Sequence, residues 1–269
     1  MIQTILTSLR TSTQAFFGNW KNLAVFTALY AFLVFALYLF FTTPEAKLWQ
    51  IALSILLVVL IPILFFVLQV MSVKYTNADS TLNDLLKRGF SEFWKLFLIS
   101  LPFILLTWLA IWGMTKLNTS LTTRIENSPT ETAAQIKAAD QNLKNLAWGF
   151  SAVWALTMYF ILPLFSIQLW ITTLRDGFTQ TFKRIFSLIL RAFTPRSVIT
   201  YLFGFVIFAV IPYFIITTRT PVKSPWLDLS LLGFRIALGL FIALVGWVIT
   251  VGSLSLTTTP LLTKNEVTQ

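Results

Sequence analysis

The chain contains no cysteine and no histidine. Disulfides, thiolate nucleophiles, imidazole bases and the usual zinc, copper, haem or iron–sulfur ligand sets are thereby excluded, and no cofactor is expected. Charge is scarce as well: only 11% of the 269 residues are charged, and only ten are acidic. A soluble domain carries about 25% charged residues. What fills the space is apolar, with 57% hydrophobic and 16% aromatic residues and a mean hydropathy of +0.79. This balance belongs to membrane proteins.

A helix needs about 20 mostly apolar residues to cross about 30 Å of hydrocarbon, where it must satisfy its own backbone polar groups. Six stretches are long enough: 22–42, 48–72, 93–115, 146–173, 198–218 and 231–256. Their apolar runs are continuous, not alternating, which argues against barrel strands. The predicted fold is all-α, a single integral membrane domain over 1–269. The first span has no basic tract before it and no small-residue cleavage pattern after it, so it is expected to be retained.

Twelve of the twenty basic residues fall on the side that holds the N-terminal segment, the 2–3 and 4–5 connections and the tail, while the ten acidic residues divide evenly. That excess predicts cytoplasmic termini in a multi-pass protein of the cell membrane. Trp20, Trp49, Trp94, Trp112, Trp148, Trp170 and Trp226 sit near span ends, as an interfacial aromatic belt requires.

The segments preceding spans 1, 3 and 5 have a helical apolar period. In 81–97 the stripe is Leu82, Leu85, Leu86, Phe90, Phe93, Trp94 and Phe97; in 178–193 it is Phe178, Phe182, Ile185, Phe186, Ile189 and Phe193. Ile2, Ile5, Leu6, Leu9 and Phe16 form a weaker one. Each predicts an amphipathic helix in the cytoplasmic interface, apolar side toward acyl chains and basic side toward anionic headgroups. Lys87, Arg88, Lys95, Lys183, Arg184 and Arg191 are the candidate headgroup contacts, and membrane lipids the expected partners.

An interfacial helix before each two-span hairpin makes three parallel repeats, about 1–75, 76–175 and 176–260. Letters recur too: Lys87-Arg88-Gly89-Phe90-Ser91 matches Lys183-Arg184-Ile185-Phe186-Ser187, Trp20-Lys21 matches Trp94-Lys95, and Leu60-Ile61-Pro62-Ile63 matches Ile161-Leu162-Pro163-Leu164. This plan resembles six-helix bacterial inner-membrane families, including the membrane domain fused to some glycerophosphodiester phosphodiesterases. The resemblance implies a six-helix fold and supplies no catalytic residue, and the chain carries no phosphodiesterase catalytic domain.

No acidic residue falls well inside a span, so carboxylate proton relays are not expected. Arg235 stands near the outer end of span 6, where it can snorkel or pair with Asp228. Pro62, Pro102, Pro163 and Pro212 predict kinks and freed carbonyls, and Gln69 and Gln168 can bond between helices or line a solute path. In span 6, Gly233, Ala237, Gly239, Ala243, Gly246 and Gly252 allow close helix contact, within the bundle or in a homo-oligomer. Gly89 followed after nine residues by Ile99-Ser100-Leu101-Pro102 resembles the second half of the coupling signature of ATP-binding-cassette importer permeases. The segment 116–145 is the longest polar connection, with a helix start expected at Ser128-Pro129-Thr130-Glu131 and a glycosylation-type triplet at Asn118-Thr119-Ser120.

Three functions are therefore expected in order: a non-enzymatic scaffold or lipid-interacting protein; a channel or permease for a neutral or hydrophobic solute, an importer-like permease subunit included; and a lipid-modifying enzyme using Asp79 or Asp176 beside Lys74 or Arg175. The net charge of +10 follows membrane topology, so nucleic acid is not an expected partner.

Overall fold

The computed structural model describes residues 1–44, 46–76, 81–126, 148–149, 151–218 and 224–258. Every element among them is helical. In chain order these are α1 (Ile2–Phe17), α2 (Trp20–Thr42), α3 (Leu48–Lys74), α4 (Leu82–Glu126), α5 (Ser151–Asp176), α6 (Phe178–Lys183), α7 (Ile185–Ala192), α8 (Pro195–Thr217) and α9 (Pro225–Thr258). Six of them, α2, α3, α4, α5, α8 and α9, are long and apolar enough to cross a membrane, as a multi-pass membrane protein requires.

The outer surface agrees with that reading. Phe35, Val58, Val59, Leu105, Leu106 and Val206, well inside their helices, are exposed. In water each such side chain would forgo about 1.5–3 kcal/mol of burial, whereas hydrocarbon imposes no such cost. Several hydroxyl groups inside the spans bond to their own helix. Thr27, Ser72, Thr172, Thr173 and Thr250 donate to carbonyls four residues earlier, at 2.6–2.9 Å.

Two packed clusters form the interior, and α3 and α9 contribute to both. One gathers Phe16, Phe26, Val67, Met71, Tyr75, Leu85 and Val248. The other gathers Phe66, Val70, Leu96, Ile99, Leu164, Ile167, Leu188, Tyr201 and Leu254. Edge-to-face ring pairs tie the first together, with Phe16 meeting both Phe26 and Tyr75 at 5.5 and 5.8 Å. Burial pushes the Tyr75 phenol above its ordinary pKa, and the hydroxyl donates to the Ser12 carbonyl at 3.3 Å. Ser253 Oγ donates to the Ser8 carbonyl at 3.4 Å. These bonds dock α1 against the ends of α3 and α9.

The helix preceding span 3 is not a separate element. α4 runs without a break from Leu82 through the span to Glu126, because Gly89 and the residues after it keep α-helical geometry. Asn118, Thr119 and Ser120 accordingly lie in that helix, not in a loop. The helix start expected at 128–131 lies outside the described residues. Before span 5 the reverse holds. Gly177, at φ 85° and ψ 162°, stops α5 in a conformation that only glycine adopts at low cost, and Arg184, at φ −105° and ψ 16°, separates α6 from α7.

The four prolines behave as two pairs. Pro62 and Pro102 sit within continuous α-helix. Pro163 and Pro212 each follow a five-residue π-turn, Thr157–Ile161 and Val206–Val210. A widened turn relieves the clash between the proline ring and the preceding turn. Pro163 also leaves the Tyr159 carbonyl without its usual α-helical donor, and Tyr201 Oη supplies one at 2.7 Å.

Glycines of α8 and α9 lie at the contact between the two helices, against side chains or backbone of the other helix. A Cβ on Gly204 would fall on the Thr250 side chain, one on Gly246 would come within 2.9 Å of the Phe208 nitrogen, and one on Gly239 within 2.8 Å of Ile216. Gly233 faces open space.

Candidate functional site: an arginine-rimmed cavity

The helix ends at one face of the bundle are joined by specific bonds. Arg175, at the end of α5, presents a fork to its neighbour Asp176, with Nε to Oδ1 at 2.8 Å and Nη2 to Oδ2 at 3.3 Å, while its Nη1 donates to the Thr258 carbonyl at the end of α9, at 3.1 Å. With α1 docked on α3 and α9, this face holds α1, the end of α3, the start of α4, and α6 and α7.

A cavity of about 660 Å³ opens on it. Its floor includes the buried residues Gln168, Ile171, Leu188 and Ser197, and its rim carries Arg175, Arg184, Arg191 and Arg196. Gln168 Nε2 donates to Ser197 Oγ at 3.2 Å, and Ser197 Oγ lies 3.0 Å from Thr194 Oγ1. The cavity exists because Gly177 bends the chain back and the break at Arg184 lets α7 cross the ends of α5 and α8. Leu188 and Ala192 anchor α7 inward, leaving Arg184 and Arg191 exposed. Thr194-Pro195 then starts α8, with proline at the first helical position, where no donor is lost.

The electrostatics are one-sided. Among the described residues, four guanidinium groups and one carboxylate line the cavity, and that carboxylate is held by Arg175. Among the described residues, no ion pair engages Arg184, Arg191 or Arg196. The start of α8 adds to the positive character. Its first helical bond runs from the Val198 amide to the Thr194 carbonyl at 3.0 Å, so the amides of Arg196 and Ser197 precede the helical ladder.

The residues expected to contact headgroups fall into two environments. Lys183, Arg184 and Arg191 are exposed at or beside the cavity, while Lys87 and Arg88 are exposed and Lys95 half-buried on α4, outside it. Lys74 pairs with Glu92 of α4, and Asp79, expected beside it, lies outside the described residues. Gln69 and Gln168 both bond between helices: Trp247 Nε1 donates to Gln69 Oε1 at 2.8 Å, and Gln168 reaches Ser197. Pro62 and Pro163 are half-buried, Pro102 exposed and Pro212 buried. Of the coupling-like residues, Gly89, Ile99 and Ser100 are buried in the bundle and Leu101 and Pro102 are exposed, and Trp170 Nε1 donates to Ser100 Oγ at 2.9 Å. Arg235 donates to the Thr218 carbonyl at the end of α8.

Sequence patterning does not single out Arg196 and Ser197. The signal that could have found them is the helix start Thr194-Pro195-Arg196-Ser197, immediately after a basic amphipathic stretch.

No protein-family model, curated protein or solved structure matches this chain.

Proposed function

We propose that this chain is a multi-pass protein of the cell membrane that engages anionic lipid headgroups through one basic, aromatic face, as a scaffold or lipid-interacting protein. The observation that carries the reading is the shared placement of exposed Lys87, Arg88, Lys183, Arg184 and Arg191 at helix ends on one side of the bundle, beside exposed Trp20, Trp94, Phe178 and Phe182. Cations at that level and bulky apolar side chains next to them suit the boundary between headgroups and acyl chains. The excess of lysine and arginine on the same side supports its assignment to the cytoplasmic leaflet, with both termini there.

Each basic residue near an anionic leaflet contributes about 1 kcal/mol, so four neutralisations change lipid preference measurably. The test is tryptophan quenching by brominated phosphatidylglycerol against brominated phosphatidylcholine in reconstituted vesicles. The wild type should favour the anionic lipid, and the variant K87Q/R88Q/K183Q/R184Q should lose most of that preference. An unchanged preference would count against the proposal.

A second reading, passage of a neutral or hydrophobic solute, is favoured by two apolar clefts that share Tyr30 and Leu244. One, of about 450 Å³, lies between α2 and α9; the other, of about 280 Å³, reaches Phe65, Gln69, Phe208 and Trp247. Solute flux in proteoliposomes that falls on filling the cleft with Ala243→Phe would support it. Absence of flux would remove its basis.

A further inference from the structure

We infer that the arginine-rimmed cavity is a single binding site for a phosphate group, filled by one phosphate-bearing anion per chain. The inference deepens the reading of the basic face as a lipid-contacting surface and rests on it for the nearness of that face to headgroups, but it makes a different claim. A surface attracts anions diffusely; this cavity has a floor, a rim and a fixed donor set.

Three features make it a phosphate site. First, Arg184, Arg191 and Arg196 surround one cavity and are not engaged by any ion pair among the described residues. Arginine offers a planar fork of N–H donors that matches phosphate oxygens two at a time. Second, the amides of Arg196 and Ser197 begin a 23-residue helix at the same cavity, adding backbone donors and the positive end of a helix dipole. Third, the floor supplies neutral polar groups, Gln168 and Ser197, both 2% exposed and already oriented by their mutual bond. Arg175 acts differently, binding Asp176 and the end of α9 and so holding the wall in place.

The volume of about 660 Å³ admits more than inorganic phosphate, so a headgroup phosphate with its glycerol fits, as does a soluble phosphate ester. Both present the same dianionic or monoanionic oxygens to the rim. The cavity lies where spans end, within reach of a lipid headgroup.

The test is a titration of purified protein in a neutral maltoside detergent and phosphate-free buffer, with dihexanoyl phosphatidic acid in one arm and inorganic phosphate in the other. Saturable one-to-one binding is expected in at least one arm. R191A/R196A should weaken it at least tenfold, and K87A/R88A, outside the cavity, less than twofold. R191K/R196K keeps the charge and the helix surface but removes the forks, and should weaken binding at least threefold while melting like the wild type. Tighter binding of the phosphatidic acid would assign the site to a lipid headgroup, and equal or tighter binding of inorganic phosphate to a soluble anion; either order supports the site. No saturable binding in either arm, equal losses in the two alanine variants, or full affinity in the lysine variant would overturn it. The broader reading of the face fails separately, in the quenching experiment read also with K87Q/R88Q/K183Q, which leaves Arg184, Arg191 and Arg196 unchanged.

Discussion

Lys87-Arg88-Gly89-Phe90-Ser91 and Lys183-Arg184-Ile185-Phe186-Ser187 are near copies in sequence, and they share one local bond: Ser91 Oγ donates to the Arg88 carbonyl at 3.3 Å, and Ser187 Oγ to the Arg184 carbonyl at 2.8 Å. Their settings differ completely. The first copy lies inside the unbroken α4, pressed on α3 through Gly89, where a Cβ would meet Val67 and Met71 at 3.2 and 3.3 Å. The second spans the break between α6 and α7. An unbroken helix holds its cations along the outside of the bundle, whereas a broken one folds them over the ends of its neighbours and encloses a cavity. The lesson is that the chain path between similar motifs decides whether basic residues make a surface or a site.

Exchanging the distinguishing residues is the strongest way to break the comparison. Gly89→Ile, which writes the second copy into the first, should destabilise the protein by about 3 kcal/mol through overpacking against Val67 and Met71, read by unfolding in mixed detergent and dodecyl sulfate micelles. A change below about 0.5 kcal/mol would mean that Gly89 is not the seat of α4 on α3.

Gly177→Ala comes next. Its backbone conformation is nearly exclusive to glycine, so the substitution should cost about 2 kcal/mol and weaken phosphate binding by misplacing α6 and α7. If stability falls with the cavity's affinity unchanged, the bend is not what shapes the site.

Tyr201→Phe removes the donor to the Tyr159 carbonyl beside Pro163 and should cost about 1 kcal/mol, with α4 and its basic residues unaffected. The smallest effect belongs to the ion pair near the first copy. A double-mutant cycle with Lys74→Ala and Glu92→Ala should give a coupling of up to about 1 kcal/mol, because the side chains are largely covered but lie near helix ends.

The spans are legible in the sequence because their signal is long and cumulative: six apolar runs are expected, and six helices of sufficient length and hydropathy are present among the described residues. The ends and breaks are not. The apolar stripe of 178–193 rests on its bulky residues, yet Phe178, Phe182, Ile189 and Phe193 remain outside, while Thr181, Leu188 and Ala192 face the bundle. In α1 the expected stripe is split: Ile5 and Phe16 are buried, as are Ser8 and Ser12, while Ile2 and Leu6 are exposed. Periodicity weighs hydrophobic size, but helices that approach closely in a membrane protein bury small residues and turn large ones toward lipid. The candidate site is half visible for a related reason. Lys183, Arg184 and Arg191 announce themselves as a basic run, but Arg196 and Ser197 belong to the next helix and join them only because α7 crosses the end of α8. The widened turns before Pro163 and Pro212 are also hidden, since Pro62 and Pro102 carry the same residue in unbroken α-helix.

In the proposed function both basic segments meet the same leaflet. Because the chain has no cysteine, single substitutions can be labelled without background. Lys87→Cys, Lys183→Cys and Trp226→Cys, treated with a membrane-impermeant maleimide in sealed vesicles of known orientation, give the direct measurement. Positions 87 and 183 should react from the same side and position 226 from the other. Reaction of 87 and 183 from opposite sides, or of 226 from the side of 87, would contradict this placement.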